Sequence, residues 1–387
     1  MKIPENVKAV LLKLEESGFD AYLVGGSVRD ALRGEMPSDF DVTTSAFPDE
    51  IKEAFCDYPV FLQGEAHGTV GVIVNSEKIE ITTFRTDGEY LDHRHPQSVA
   101  FSRNIEDDLS RRDFTVNAMA FSEKKGLVDL FGGREDINGK IIRCVGKAQK
   151  RFDEDALRIL RALRFSSTLG YEIAPETKAA VFEKMHLLEN ISTERIREEV
   201  EKLVNGKTAG NVVSEYSRVF RLLFPDFDEK VFADNFSKLE KGRERCALFF
   251  CAVGKEDSVD KLKYSTVCSH FYKNVIRLFK GKSFNSIYDV KKAVSVFGYD
   301  SVITSLKIKA LFEKRDMEMC KALEKAFQNG ECMSKSDMAV KGADLIEIGF
   351  DKGKKIGQVQ DTLFDLVLRG DLENTKTALL NKAVTLK

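Results

Sequence analysis

YLVGGSVRDALRGEMPSDFDVTTSA, residues 22–46, holds the reading on which the fold turns. Its first residues continue a β-type run from Ala21 that ends in two glycines. SVRDALRG then reads as a helix, with Ser27 as N-cap, Asp30 three residues on and Gly34 closing it. SDFDVTT returns as a strand carrying two aspartates one residue apart. Glycines before a helix let a phosphate approach backbone N–H groups at the positive end of the helix dipole. Gly26 would donate its N–H and Arg29, in the first turn, a charge-assisted bond. A plain tight turn would use the same glycines. Asp39 and Asp41 add weight to the first reading, because residues i and i+2 of a strand project to one face. Their carboxylates can then share a pair of hard cations. Two magnesium ions there would clamp a triphosphate and activate an attacking hydroxyl.

Two glycines, a helix and Asp-x-Asp on the next strand form the arrangement of polymerase-β-type nucleotidyltransferases. Glu80, in KIEITTFR, is either a third carboxylate or an exposed strand glutamate. The chain has no Walker-type Gly-x4-Gly-Lys, which disfavours a P-loop ATPase. Phosphate handling would rest on a helix end, metals and arginines.

The 387 residues exceed one typical core and suit two to four domains. An apolar fraction of 43% with 32% charged residues is that of a soluble globular protein. The first residues, MKIPENVKAVLLKLEES, read as an amphipathic helix and not a secretory signal, so a cytoplasmic location is expected. The seven cysteines (Cys56, Cys144, Cys246, Cys251, Cys268, Cys320 and Cys332) form no C-x-x-C pair, and none of the five histidines is followed by aspartate. Reduced thiols are expected, and zinc or His-Asp phosphohydrolase chemistry is not. With 60 basic and 62 acidic residues the net charge is −2, so a polyanion partner would need a local basic face. KLKYSTVCSHFYKNVIRLFKGK, Lys261 to Lys282, is either such a face or a solvated helix.

Up to about residue 145, β-type runs alternate with turns: AYLVGG, DFDVTT, GTVGVIVN, KIEITTFR, VNAMAFS and GLVDLFGG. Beyond it, helical patterns take over. The fold class expected is α+β, a mixed-sheet head followed by all-α segments. PET at 175–177 and STER at 192–195 mark helix starts, and Gly170 and Gly206 helix ends. TDGEYLDHRHPQSVAFS, 86–102, is turn-rich and long enough to be a functional loop.

RFDEDALRILRALRF, Arg151 to Phe165, reads as one helix. At about 100° per residue, Ala156, Ile159, Leu160 and Leu163 share one arc, and Asp155, Arg158, Arg161 and Arg164 spread over the other half. A ladder of ion pairs on a solvated face is one reading. The other is a base reader. A carboxylate beside a guanidinium places an acceptor next to a donor, which matches the Watson–Crick edge of cytosine or adenine. Asp155 would accept from cytosine N4 or adenine N6, and Arg158 would donate to cytosine N3 or adenine N1. Uracil and guanine would make both contacts repulsive. Arg161 and Arg164 would face sugar or phosphate.

Together, LVGGSVRD, SDFDVTTSA, RRDFTVNAMA, DLFGGREDINGKIIRCVG, RFDEDALRILRALRF and RIREEVEKLV resemble the class II tRNA nucleotidyltransferases, the CCA-adding enzymes, whose relatives include bacterial poly(A) polymerases. The motifs occur in family order over roughly residues 20 to 205, and LLFPDF and AVKGADLIEIGF look like more distal family segments. The resemblance implies a polymerase-β-like head at 1–148, a neck with base-reading helices at 149–206, a body at 207–322 and a tail at 323–387. By it, Asp39 and Asp41 are catalytic and hold magnesium, and Gly26 and Arg29 help bind the triphosphate. Arg112 contacts the incoming nucleotide, with Asp113 and Asn117 nearby on the sugar side. Asp155 and Arg158 template CTP or ATP, and Arg161 and Arg164 are further nucleotide ligands. The implied partner is tRNA, along its acceptor stem and T arm; no membrane and no stable protein partner is implied. EYLDHRHPQSV looks like the loop that A-adding members need, which favours full CCA addition over CC addition. An A-adding enzyme, a poly(A) polymerase, a non-catalytic RNA-binding protein and a transferase acting on a small molecule such as an aminoglycoside are the alternatives.

Overall fold

The computed structural model describes residues 2–88 and 99–387. It divides into two compact units, Met1–Pro225 and Asp226–Lys387. The expected head (1–148) and neck (149–206) both fall in the first, and the division lies inside the expected body (207–322). No described helix is long and apolar enough to cross a membrane.

The first unit begins with helix α1 (Glu5–Glu16), whose Val7, Val10, Leu11 and Leu14 are buried at the spacing expected of an amphipathic helix. Strand β1 (Ala21–Val24), fully buried, leads through the glycine pair into α2 (Gly26–Leu32) and β2 (Asp41–Thr44). After α3 (Pro48–Ala54) come β3 (Val60–Gly64), β4 (Thr69–Val74) and β5 (Glu77–Thr83). Strands β6 (Arg85–Asp87) and β7 (Val99–Phe101) pair with each other antiparallel. They are the ends of the loop expected at 86–102; residues 89–98, with nearly all of EYLDHRHPQSV, lie outside the described residues. Helix α4 (Ile105–Ser110) and a 3-10 turn at Thr115–Asn117 lead to β8 (Met119–Ser122) and β9 (Gly126–Asp129).

Seven strands form one mixed sheet in the order β3-β4-β5-β2-β1-β8-β9, with β2 and β5 parallel and every other neighbouring pair antiparallel. Its register builds the site. The pairing of Val24 with Asp41 sets the glycine pair beside the Asp41 carboxylate, and that of Val42 with Ile81 brings Glu80 level with Asp41. Val42 and Ile81 are buried, so Asp41 and Glu80 project from the opposite face.

Beyond α5 (Gly133–Gly139), β10 (Ile141–Ile142) pairs in parallel with β11 (Glu172–Ile173), and α6 (Ala148–Glu154) and α7 (Leu157–Leu169) lie between these strands in sequence. Helices α8 (Pro175–Lys184) and α9 (Thr193–Val204) follow, and α7 packs on α9. A Cβ on Gly206 would lie 2.0 Å from Ser167 Oγ. This glycine, expected only as a helix stop, is required by the close approach of two chain segments. Pro175 takes the first turn of α8, where its missing N–H costs nothing.

Three local expectations are corrected. Ser27 is not the N-cap of α2: Gly25, at φ +69°, turns the chain one step earlier, and the buried Ser27 Oγ donates to Val24 O at 2.9 Å. Asp39 is not on β2, because the turn after Val24 removes the neighbour with which residues before Asp41 would pair. The segment 151–165 is not one helix. Asp155 is extended (φ −140°, ψ 103°), and its side chain accepts from Leu157 N at 3.1 Å, so α7 starts afresh.

The second unit is helical, with apolar clusters centred on Val302, Leu306 and Leu323 and on Leu345, Leu363 and Leu379. Within the basic stretch 261–282 the helix Thr266–Lys280 buries Phe271, Tyr272, Val275 and Ile276. Lys273 pairs with Asp260 at 2.6 Å and Arg277 with Glu256 at 2.7 Å, so part of its positive charge is neutralised locally.

Candidate active site

A cavity of about 370 Å³ in the first unit gathers residues that the sequence singles out separately. Gly25, Gly26 and Arg29 reach it from the start of α2, and Asp41 from β2. Arg111, Arg112, Asp113 and Asn117 come from the RRDFTVN segment, and Asp155, Arg158, Arg161 and Phe165 from the α6–α7 corner and α7. Five arginines face three aspartates in this lining, an excess of positive charge suited to a polyphosphate. Among the expected residues, Asp39 and Arg164 do not line it.

The arginines are held by carboxylates. Asp108, fully buried, accepts from Arg111 at 2.6 Å and from Arg112 at 2.9 Å. Burial alone would raise the pKa of Asp108, but the two guanidiniums outweigh it and hold the pKa below the usual range. Arg112 keeps a buried Nε, closed to solvent, with no hydrogen-bond partner among the described residues. Its NH1 is 3.1 Å from where a Cβ on Gly25 would stand, so a side chain there would crowd the arginine. Arg29 donates to Asn117 Oδ1 at 2.7 Å and to both oxygens of Asp30 at 2.9 Å, which fixes it across the cavity floor.

Asp113 joins the sheet side to α7. Its carboxylate accepts from Arg161 Nε at 2.8 Å and NH2 at 2.5 Å, from Phe114 N at 2.8 Å and from Asn117 Nδ2 at 3.3 Å. Burial pushes its pKa up, Arg161 above all pushes it down, and the net direction is down. Arg164 donates to Glu199 on α9 at 2.6 Å and lies 3.9 Å from the centroid of the Phe165 ring. It supports the wall from behind.

The ion-pair ladder is absent: Asp155, Arg158, Arg161 and Arg164 pair with other partners and not with one another. Arg158 is 8% exposed; it donates to Glu154 Oε2 at 2.7 Å, Arg151 O at 3.3 Å and Arg111 O at 3.0 Å. Three of its five N–H donors are used, leaving Nε–H and one NH2 hydrogen. Asp155 accepts from Arg195 at 2.8 and 3.3 Å and from Leu157 N, which leaves lone-pair capacity on Oδ2. Both groups of the expected base reader thus line the cavity, oriented and with hydrogen-bonding capacity left.

Asp41 has its pKa raised, first by burial and then by Glu80 and Asp39, against the lowering pull of Arg112. Asp39 is exposed and accepts from Ser38 Oγ at 3.1 Å, while Glu80 pairs with Lys78 at 2.9 Å. Among the described residues no three His, Cys, Asp or Glu side chains converge as a metal-ligand set. Crowded carboxylates of hard oxygen character, too few to cage an ion, suit magnesium, which binds through one or two carboxylates and completes its shell with water and substrate phosphates.

Asp108, Glu154, Arg195 and Glu199 escaped the sequence reading. Arg195 and Glu199 lie in RIREEVEKLV, whose helical spacing placed a helix there without naming its partners.

Family models match three segments: a poly A polymerase head domain at residues 21–143, a probable RNA- and SrmB-binding site of polymerase A at 170–230, and a putative tRNA nucleotidyltransferase domain 2 at 237–383. The CCA-adding enzyme of Geobacillus stearothermophilus is 35% identical over 394 residues, covering 97% of this chain and 96% of its own. That of Lactococcus lactis subsp. cremoris (strain MG1363) is 35% identical over 401 residues, with 98% and 97% covered. Among solved structures, the Bacillus stearothermophilus CCA-adding enzyme in complex with CTP superposes with a TM-score of 0.81 at 31% identity, over 100% of this chain and 98% of that one. The Thermotoga maritima CCA-adding enzyme complexed with tRNA shares the fold, with a TM-score of 0.71 at 21% identity.

Proposed function

The chain belongs to the family of CCA-adding tRNA nucleotidyltransferases, and on that premise we propose that it adds the 3'-terminal CCA to tRNA from CTP and ATP without a nucleic-acid template. The observation that carries the reading is the single cavity in which Asp41 of the sheet meets Asp155 and Arg158 of the neck.

In this reading Arg29 and Arg112, beside the glycine pair, bind the triphosphate, and Gly26 offers its N–H at the start of α2. Asp39 and Asp41 would hold magnesium, which when bound would neutralise the triphosphate and make the tRNA 3'-hydroxyl a better nucleophile toward the α-phosphate. Asp155 accepts from the exocyclic amine of cytosine or adenine through its remaining capacity on Oδ2. Arg158 donates to the adjacent ring nitrogen through its free N–H groups. Arg161, fixed by Asp113, faces the sugar and phosphates, and Arg164 acts through Phe165 and Glu199 to hold the wall. A base presenting a carbonyl and an N–H loses both contacts, each worth about 1–3 kcal/mol. Catalysis is mainly positioning and charge neutralisation. The four-part division at 148, 206 and 322, with tRNA along the helical parts, completes the proposal.

The test is incorporation. tRNAs ending before CCA, before CA and before the final A are incubated with CTP and ATP separately. C should enter only the first two and A only the third. Failure to incorporate C, with A still added, would favour an A-adding enzyme, and a long A tail a poly(A) polymerase.

A further inference from the structure

A second built cavity, of about 210 Å³, lies in the second unit, where the helices Tyr299–Lys309 and Lys314–Gln328 meet the end of the helix Thr266–Lys280. Its base carries two buried opposite charges. Asp316, 1% exposed, accepts from Ser283 Oγ at 3.0 Å through Oδ2, while its buried Oδ1 has no hydrogen-bond partner among the described residues. Such an oxygen is costly to leave unpaired. Lys309, 6% exposed, gives one N–H to Gly281 O at 2.7 Å and keeps two donors. Burial lowers its pKa, while Asp316 and Glu313 pull it back up.

The mouth is aromatic. Phe312, 50% exposed, and Phe279 line it with their ring centroids 5.9 Å apart. Lys282 and Lys314, the neighbours in sequence of the lining residues Gly281 and Glu313, are exposed. Arg315 is exposed as well and donates to Asn285.

An acceptor beside a donor under an exposed ring, with cations at the rim, narrows the ligand. A cation would meet the Lys309 ammonium, and a small anion the carboxylates of Asp316 and Glu313. A flat neutral ring carrying an N–H next to a carbonyl satisfies both groups with charge-assisted bonds and stacks on the phenylalanine. The volume is below that of drug-sized pockets and suits one ring system, with the remainder of a strand outside. We propose that this cavity receives one unpaired guanine or uracil of the RNA substrate. The base N–H donates to Asp316 Oδ1, its carbonyl accepts from Lys309 Nζ, and the flanking phosphates lie toward Lys282 and Lys314. The inference rests on tRNA being the substrate, and it assigns the second unit a base-reading contact separate from the nucleotide cavity.

The full-length protein is mixed with tRNA lacking its CCA, and the bases are probed with kethoxal, which attacks guanine N1 and N2, and with a carbodiimide that attacks uracil N3. The wild type should protect one guanine or uracil, and Phe312→Ala and Asp316→Asn should expose it again. The Kd for tRNA should rise about tenfold in Phe312→Ala, the loss of one stacked base. Phe312 is half exposed, so its variant keeps the test valid should Asp316→Asn fail to fold. An unchanged footprint and Kd in Phe312→Ala, with the wild type still adding C and A to that tRNA, would overturn the inference and leave the activity standing. A wild type that neither binds nor extends tRNA would overturn both.

Discussion

Replacing Asp113 by Asn tests whether the two sides of the nucleotide cavity depend on one carboxylate. Asparagine keeps the shape and an acceptor for Phe114 N, but it removes the charge that Arg161 grips at 2.8 and 2.5 Å. Breaking a buried pair costs roughly 3–5 kcal/mol. The Arg161 side chain is 33% exposed and Asp113 8%, so solvent can partly take over the guanidinium. A loss of about 2 kcal/mol is therefore expected. For a unit the size of Met1–Pro225 this corresponds to a fall of about 4–8 °C in its thermal transition. The sign of the pH dependence follows from the depressed pKa of Asp113. Its contribution is present in full above the unfolded value, the ordinary aspartate value of about 3.9, and is lost as pH falls through the lower folded value. The gap between wild type and Asp113→Asn, read by calorimetry from pH 7 into acid, should close in that window. The KM for CTP and ATP should rise in the same variant as Arg161 loses its orientation. Equal thermal midpoints at pH 7, or a gap that persists in acid, would refute the reasoning.

Asp41→Asn should lower incorporation of both nucleotides by at least about 10²-fold in single-turnover assays while leaving the thermal midpoint within about 2 °C. Chelation with EDTA should abolish incorporation by the wild type and added magnesium should restore it; activity that survives chelation would remove the metal from the scheme. Asp155→Ala should reduce kcat/KM for CTP and ATP by roughly 5- to 150-fold and narrow the preference over UTP and GTP, whose carbonyls no longer meet a carboxylate, measured on tRNAs ending before CCA and before A. Gly206→Ala should destabilise by about 1–3 kcal/mol, because its Cβ would stand 2.0 Å from Ser167 Oγ and 2.6 Å from the Ser167 backbone; urea denaturation reads this directly.

The sheet of the head and most of the residues that line its cavity were legible in the sequence because both rest on short-range pattern. Alternating β-type runs, a glycine pair and two aspartates are local signals, and the strand register then brings Gly26, Asp41 and Glu80 together. The helix break at Asp155 was not legible. RFDEDALRILRALRF holds helical periodicity without glycine or proline, and only the capping bond to Leu157 N and the grip of Arg195, forty residues away, reveal the corner. Ser27 misled for a related reason, since a serine before a helix looks like a cap until a left-handed glycine starts the turn sooner. Asp108, Glu154, Arg195 and Glu199 were invisible as site residues because their role lies in which arginine each one holds. Composition hid the second cavity as well, since Lys309 and Asp316 are ordinary helix residues until folding buries them.

The corner at Asp155 bears on how a base could be measured. Along an unbroken helix, residues three apart keep one offset, because every hydrogen-bonded turn repeats the same rise. At Asp155 the helical run breaks, yet Asp155 O still accepts from Arg158 N at 3.0 Å, so one hydrogen-bonded turn sets the offset between the Asp155 carboxylate and the Arg158 guanidinium. The pair is thus a fixed gauge, braced on the Arg158 side by Glu154, Arg151 O and Arg111 O. An exocyclic amine beside a ring nitrogen has one spacing in cytosine and adenine alike, so a gauge of one span could admit a pyrimidine and a purine without resetting.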